Sequence, residues 1–141
     1  MECKTKIEFV LQNRMAYLGT LHLIGNDWLS GVKDGAKPPT PTTCQAAIQY
    51  LQTMLCLLAP FDDKEHELDI VLGPIPSGGV TVELVVPSLA LYVEFRNSGI
   101  VEIQQKKGEV WLAVMEENTH LKGVERLSKL LKRIILTKRP I

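Results

Sequence analysis

The chain has little cysteine, no long apolar run and no excess of charge of either sign, and each shortage removes a class of protein. Its three cysteines, Cys3, Cys44 and Cys56, form no Cys-x-x-Cys pair. An odd count fits reduced thiols better than a disulfide framework. Cys44 and Cys56 both fall in a helical stretch, where a free thiol packs as a small apolar side chain. The longest apolar run, Leu55 to Phe61, stops at Asp62, far short of the roughly 20 residues a bilayer helix needs. The first residues, Met1 to Lys6, are followed by Glu8 and Arg14 and contain no continuous apolar segment of the signal-peptide type. A cytoplasmic protein with no membrane contact is expected. Sixteen Lys+Arg against sixteen Asp+Glu give zero formal charge, which excludes a polybasic nucleic-acid coat and an acidic tail protein.

What remains is ordinary globular chemistry. With 141 residues, 45% hydrophobic and 23% charged, the chain has room for one core, so residues 1–141 are expected to form a single α+β domain. No repeat or low-complexity segment interrupts it. Apolar residues at Ile7, Val10, Leu11, Met15 and Leu18 have the three-and-four spacing of one helical face, so a helix is expected from about Lys4 to Leu18. Glycines and prolines from Gly25 to Pro41 then make regular structure improbable, and Trp28 is the natural anchor of that loop. Thr40-Pro41 has the chemistry of an N-cap followed by a first helical residue, and the second helix runs to about Leu58, ahead of Pro60. Its buried stripe is Ala47, Tyr50, Leu51, Met54, Leu55 and Leu58.

From Leu68 the period changes to two and β-branched residues dominate: Leu68–Leu72, Val80–Val86, Leu89–Arg96, Ile100–Gln104 and Val110–Met115. Short turns separate them, so a four- or five-stranded antiparallel meander is expected, followed by a helix from about Gly123 to Leu136. The expected architecture is two N-terminal helices, the meander and a C-terminal helix, with the helices on one sheet face.

Opposed residues in a sheet share a face, so apolar must meet apolar. A three-residue loop at Asn97–Gly99 sets Phe95 opposite Val101 and Val93 opposite Ile103. A turn at Pro87-Ser88 sets Leu84 opposite Leu91 and Val82 opposite Val93. Val110, Leu112 and Val114 join this core face. The other face then carries Thr81, Glu94, Glu102 and Trp111 in one row and Glu83, Tyr92 and Gln104 in the next. Opposed carboxylates at Glu94 and Glu102 repel unless a cation or a proton lies between them. They are either an acid/base pair or cation site, or part of a solvated sheet face.

Other chemistry finds little support. His22, His66 and His120 lie far apart, each without a nearby ligand pair. Ser77 is not a nucleophile elbow, because residue 75 is Ile where that motif needs Gly. The Gly-Pro-Ile-Pro-Ser-Gly-Gly segment lacks the Lys-Ser/Thr pair of a phosphate loop and is expected to lead into an edge strand. Charge is unevenly placed, however. Residues 121–141 hold Lys122, Arg126, Lys129, Lys132, Arg133, Lys138 and Arg139 against Glu125 alone. Such a helix could meet phosphate backbones or an acidic protein, or simply be a solvated face.

Asn26-Asp27-Trp28, then Asp34 to Pro41, then Pro76-Ser77-Gly78-Gly79-Val80 leading to Glu83, and Leu91 to Phe95 leading to Ser98-Gly99, together resemble a family of small bacterial proteins frequent in cyanobacteria. Its members carry an Asn-Trp-Asp-Gly-Tyr-Gly-Ala loop, a proline-containing helix start and a Gly-Gly-Val strand followed by an Asp-Gly hairpin. The resemblance covers about residues 5 to 105. Here Leu29 to Lys33 separate Trp28 from Asp34, the loop has no tyrosine, and Ser98-Gly99 stands where the family has Asp-Gly. The family has no established activity, so the resemblance implies a fold pattern and a bacterial cytosolic setting rather than a reaction.

The expected function is therefore that of a non-enzymatic protein-binding domain, in its most concrete form the smaller partner of a two-gene module of the toxin–antitoxin kind. Its expected contacts are Lys129, Lys132, Arg133, Lys138 and Arg139 on the basic helix and Tyr92, Glu94, Glu102 and Trp111 on the sheet. The alternative is nucleic-acid binding, RNA or DNA, through the basic helix. The element order imitates a double-stranded-RNA-binding domain, although that family's Gly-Pro-x-His loop and Lys-Lys helix start are absent. No nucleophile, base and orienter come together in the sequence, so no enzyme, cofactor or metal is expected. Self-association stays open.

Overall fold

A computed structural model of the chain describes residues 6–24, 37–58, 69–86, 89–107 and 110–137. They form α1 (Lys6–Ile24), α2 (Pro41–Leu58), β1 (Asp69–Pro74), β2 (Gly79–Val86), β3 (Leu89–Arg96), β4 (Val101–Lys107), β5 (Val110–Glu117) and α3 (His120–Thr137). The fold is α+β. Trp28, Lys138, Arg139 and Cys3 lie outside the described residues. No helix among the described residues is long and apolar enough to cross a membrane.

α2 begins where its capping chemistry puts it. The Thr40 carbonyl accepts from Cys44 N at 3.0 Å, and its hydroxyl oxygen accepts from Thr43 N at 3.2 Å. Pro41 follows at the position where a missing N–H costs nothing. Ala47, Tyr50, Leu51 and Met54 are buried on its inner stripe, with Cys44 beside them. Cys56 departs from expectation: it is exposed, being two residues past Met54 and so off that stripe. α1 continues beyond Leu18 to Ile24, burying Leu11 and Leu18.

α3 starts at His120 rather than at Gly123. Thr119 caps it, its carbonyl accepting from Gly123 N at 2.9 Å and its hydroxyl from Lys122 N at 3.2 Å. Gly123 lies inside the first turn for steric reasons: a Cβ there would collide with the Val101 side chain on β4. The glycine that reads as a helix boundary is the point of closest approach between helix and sheet.

The sheet has five antiparallel strands in the order β1-β2-β3-β4-β5. Leu84 is opposite Leu91, Val82 opposite Val93, Val93 opposite Ile103 and Phe95 opposite Val101, the register that apolar matching requires. The Gly-Pro-Ile-Pro-Ser-Gly-Gly segment does not lead into an edge strand: β2 lies between β1 and β3, and the edges are β1 and β5. Gly99 has a positive φ of 102° and closes the β3–β4 hairpin by donating to the Arg96 carbonyl at 2.9 Å, as a three-residue loop ending in a bulge requires. Ile70, Val80, Val82, Leu84, Leu91, Val93, Phe95, Val101 and Ile103 are buried in one cluster with Leu11, Leu18, Leu51, Met54, Leu127 and Leu131 of the helices.

β5 is shifted from its expected register. A bulge between Ile103 and Gln104 makes Val114 the additional residue, so Met115 rather than Val114 stands opposite Ile103. Val110 and Leu112 stand opposite Lys107 and Gln105.

One side chain ties the layers together at the hairpin end. Asn97 Oδ1 accepts from Thr40 N and Thr43 Oγ1, both at 2.9 Å, and Asn97 Nδ2 donates to the Pro38 carbonyl at 3.0 Å. Its backbone N–H donates to the Gly78 carbonyl at 3.0 Å. Gly78, with a φ of 109°, leaves room for the carboxamide, which a Cβ at that position would strike. Because Thr43 spends its hydroxyl proton on Asn97, the Thr40 hydroxyl must donate to Thr43 Oγ1 across their 2.8 Å contact.

Asn97→Ala removes three side-chain hydrogen bonds and leaves Thr43 buried without its acceptor. Chemical denaturation should show a loss of about 2–3 kcal/mol, and a variant as stable as wild type would remove the hub role. Tyr50 offers the opposite case, since its ring is buried against Phe95 at a centroid distance of 5.9 Å while its hydroxyl has no hydrogen-bond partner among the described residues. Burial pushes its phenol far above the ordinary range. Tyr50→Phe should keep the packing and raise stability by about 1 kcal/mol, read as a shift in the denaturation midpoint.

Candidate interaction surface

Strand alternation places Asp69 and Val71 of β1, Thr81, Glu83 and Val85 of β2, Tyr92, Glu94 and Arg96 of β3, and Glu102, Gln104 and Lys106 of β4 on the face opposite the apolar cluster. Glu94 stands directly opposite Glu102, with Thr81 beside it on β2. On the β5 side the row continues to Glu116 and not to Trp111. With Lys107 opposite Val110, Trp111 stands opposite Lys106, away from the Glu94–Glu102 pair.

The cation that two opposed carboxylates demand comes from the chain itself. Arg96 Nη2 donates to Glu102 Oε2 at 2.8 Å and to Glu94 Oε1 at 3.1 Å, and Arg96 Nε donates to Glu94 Oε1 at 3.2 Å. Gln104 Nε2 supports Glu102 Oε1 at 3.1 Å, while the Tyr92 hydroxyl reaches Glu94 Oε2 at 3.5 Å. One chain of contacts thus runs Tyr92–Glu94–Arg96–Glu102–Gln104. Its signal was in the sequence, since Arg96 is two residues from Glu94 on the same strand and therefore on the same face. The side chains of Glu94, Glu102 and Arg96 keep 20%, 25% and 35% exposure, so water only partly screens them. Burial, then the Glu94 charge and hydrogen bond, and finally Glu83 push the Tyr92 phenol above its ordinary value, with a Thr81 hydrogen bond opposing them.

Each carboxylate already has hydrogen-bond partners within the sheet face. Among the described residues no three His, Cys, Asp or Glu gather to hold a metal ion. Beside the network two apolar side chains face solvent, Val71 with 47% and Val85 with 39% exposure.

The basic helix is a second, separate surface. Lys129, Lys132 and Arg133 are exposed on α3 together with Lys122 and Arg126, and they follow the three-and-four spacing of one helical side. Arg126 Nε bonds Glu117 Oε1 at 2.8 Å and ties the helix to β5. Lys129, Lys132 and Arg133 therefore lie on α3, whereas Tyr92, Glu94 and Glu102 lie on the sheet, and the two groups form distinct patches.

No protein-family model matches this chain, and no similar curated protein or solved structure was found.

Arg96→Met should leave Glu94 and Glu102 facing each other. A loss of about 1 kcal/mol is expected for such partly exposed groups, shrinking in 1 M salt as the repulsion is screened. Adding Glu94→Gln should restore most of it. A loss that is equal at low and high salt and persists in the double variant would show that Arg96 acts through packing alone.

Proposed function

We propose that this chain is a non-enzymatic protein-binding domain that meets its partner on the outer face of the sheet. In this reading α1, α2 and α3 share the inner face, so the outer one is left for another molecule. The observation that carries it is the closed Glu94–Arg96–Glu102 network beside exposed Val71 and Val85. Charges that already satisfy one another can be covered with less desolvation penalty than free ones, and they are held in place before the partner arrives. Val71, Val85 and the ring of Tyr92 supply apolar contact area, with Glu83 between Val71 and Tyr92 and Asp69 opposite Val85. The partner such a surface fits is a protein that sets basic side chains beside apolar ones. A bacterial cytosolic setting, and a role as the smaller member of a two-gene module, complete the proposal.

Nucleic-acid binding through α3 is the alternative, favoured by the exposed run of Lys122, Arg126, Lys129, Lys132 and Arg133. The two are separated by surface-specific variants used in affinity capture from the native host and on duplex RNA or heparin. Val71→Arg with Val85→Arg should weaken capture of a protein partner by about tenfold or more, as loss of an apolar anchor does. Lys129→Glu, Lys132→Glu and Arg133→Glu together should leave that capture intact. The reverse pattern, with steeply salt-dependent retention on duplex RNA that the α3 variant abolishes, would assign the chain to nucleic acid.

A further inference from the structure

α1 carries a glycine that nothing in its own chain requires. A Cβ at Gly19 would meet no atom within 4 Å among the described residues, although glycine inside a helix costs about 1 kcal/mol against alanine. Gly123 in α3 is explained by Val101, whereas Gly19 has open space in front of it. It belongs to an exposed helix face formed by Phe9, Asn13, Ala16, Gly19 and Thr20, with Tyr17 at its margin. The Phe9 ring keeps 64% exposure. This face bears no charge, while the outer sheet face is acidic and the exposed side of α3 basic. Arg14, next to Asn13, turns away from it to β1, where its Nε donates to the Ile70 carbonyl at 2.7 Å.

Side-chain size runs in one direction along this face. An exposed aromatic ring stands toward the N-terminal end at Phe9, and small side chains follow at Ala16, Gly19 and Thr20. A face that is bulky at one end and hollow at the other complements itself when turned end for end, which is the symmetry of an antiparallel pair. Because it is uncharged, it also meets no like-charge repulsion when it meets itself. We propose that α1 packs antiparallel against α1 of a second copy of this chain, with Phe9 of each copy seated in the gap between Ala16, Gly19 and Thr20 of the other. This contact lies on a different surface from the proposed sheet-face function and does not depend on it.

Helix packing selects the register. A hole that receives a side chain from a facing helix is bounded by neighbours three and four residues apart, the spacing of Gly19 and Thr20 from Ala16. Seating Phe9 there puts the two-fold axis between Asn13 and Ala16, so each Asn13 comes beside Ala16 of the other copy. A side chain at position 19 would fill the hole that Phe9 enters, which gives the glycine its reason. Antiparallel helices also set the positive end of one macrodipole beside the negative end of the other. The contact from Phe9 to Thr20 runs about three turns, ~16 Å, which is short for a permanent dimer, so the pairing is weak and reversible.

Sedimentation equilibrium on the purified chain, at concentrations up to about 1 mM, tests the pairing. Wild type should move toward twice the chain mass as concentration rises. Phe9→Ala removes the bulky residue and Gly19→Leu fills the hole, so each alone should raise the dissociation constant by about tenfold or more. Both substitutions on one chain put the bulk at 19 and the gap at 9, and should recover much of the wild-type association. Gly19→Leu should not lower the melting temperature, since a side chain there meets open space and leucine is the better helix former. Loss of pairing is thereby separated from loss of fold. A wild type that stays monomeric throughout overturns the proposal, and Phe9→Ala weakening capture of another protein would then give the face to that protein. A dimer that both single variants leave intact, or a double variant no tighter than either single one, overturns it as well.

Discussion

The carboxamide of Asn97 is the point from which the rest of this fold is positioned. A five-stranded meander can slide or splay at its turns, and helices joined by long segments can approach it at several angles. Asn97 removes that freedom at one end, because its oxygen satisfies the first turn of α2 and its N–H groups reach Pro38 and the β1–β2 turn at Gly78. The neighbouring residue extends the same junction to α3, whose His120 ring donates from Nε2 to the Arg96 carbonyl at 2.7 Å. Two helix N-termini, one hairpin and one turn therefore converge on residues 96 and 97.

The same two residues couple the covered side of the sheet to its outer side. Asn97 directs its amide to α2, while the Arg96 guanidinium lies between Glu94 and Glu102 on the outer face. Placing Arg96 at the strand end, two residues from Glu94, lets one cation serve both carboxylates without a metal. The consequence is a face whose charges are ordered by the fold itself. An ordered face loses less entropy when a partner covers it than one whose long side chains must first be immobilised. The same stability junction thus preorganises the surface proposed for binding.

How much of this the sequence disclosed follows from which signals are local. Register between β2, β3 and β4 was legible because Val and Leu alternate with Glu and Thr, and a slip of one residue would expose every apolar side chain. The α2 start was legible because Thr40-Pro41 carries its own capping chemistry. Asn97 was legible only as turn chemistry, since its partners at 38, 40, 43 and 78 come from elements distant in sequence. Gly123 misled because its role is set by Val101, a neighbour across space, and not by the helix that contains it. Trp111 was placed in the wrong row because β4 does not end at Gln104 but runs on through Lys106 and Lys107, which pair with Trp111 and Val110. Cys56 was assigned to packing on helix membership alone, whereas its angle around the helix axis decides its exposure.

A zero formal charge is the least informative number in the composition, because this chain reaches it by separating its charges. Lys122, Arg126, Lys129, Lys132 and Arg133 are exposed along α3, and Asp69, Glu83, Glu94, Glu102 and Glu116 lie along the sheet. At physiological salt each patch is felt only within about 8 Å, so a molecule arriving at α3 meets a cation and one arriving at the sheet meets an anion. Arg96 weakens the sheet field between Glu94 and Glu102, and Arg14 does the same for Asp69, which leaves Glu83 beside exposed Val71 on one side and Glu116 on the β5 side. The position of one arginine therefore keeps the sheet from being a uniformly acidic plate.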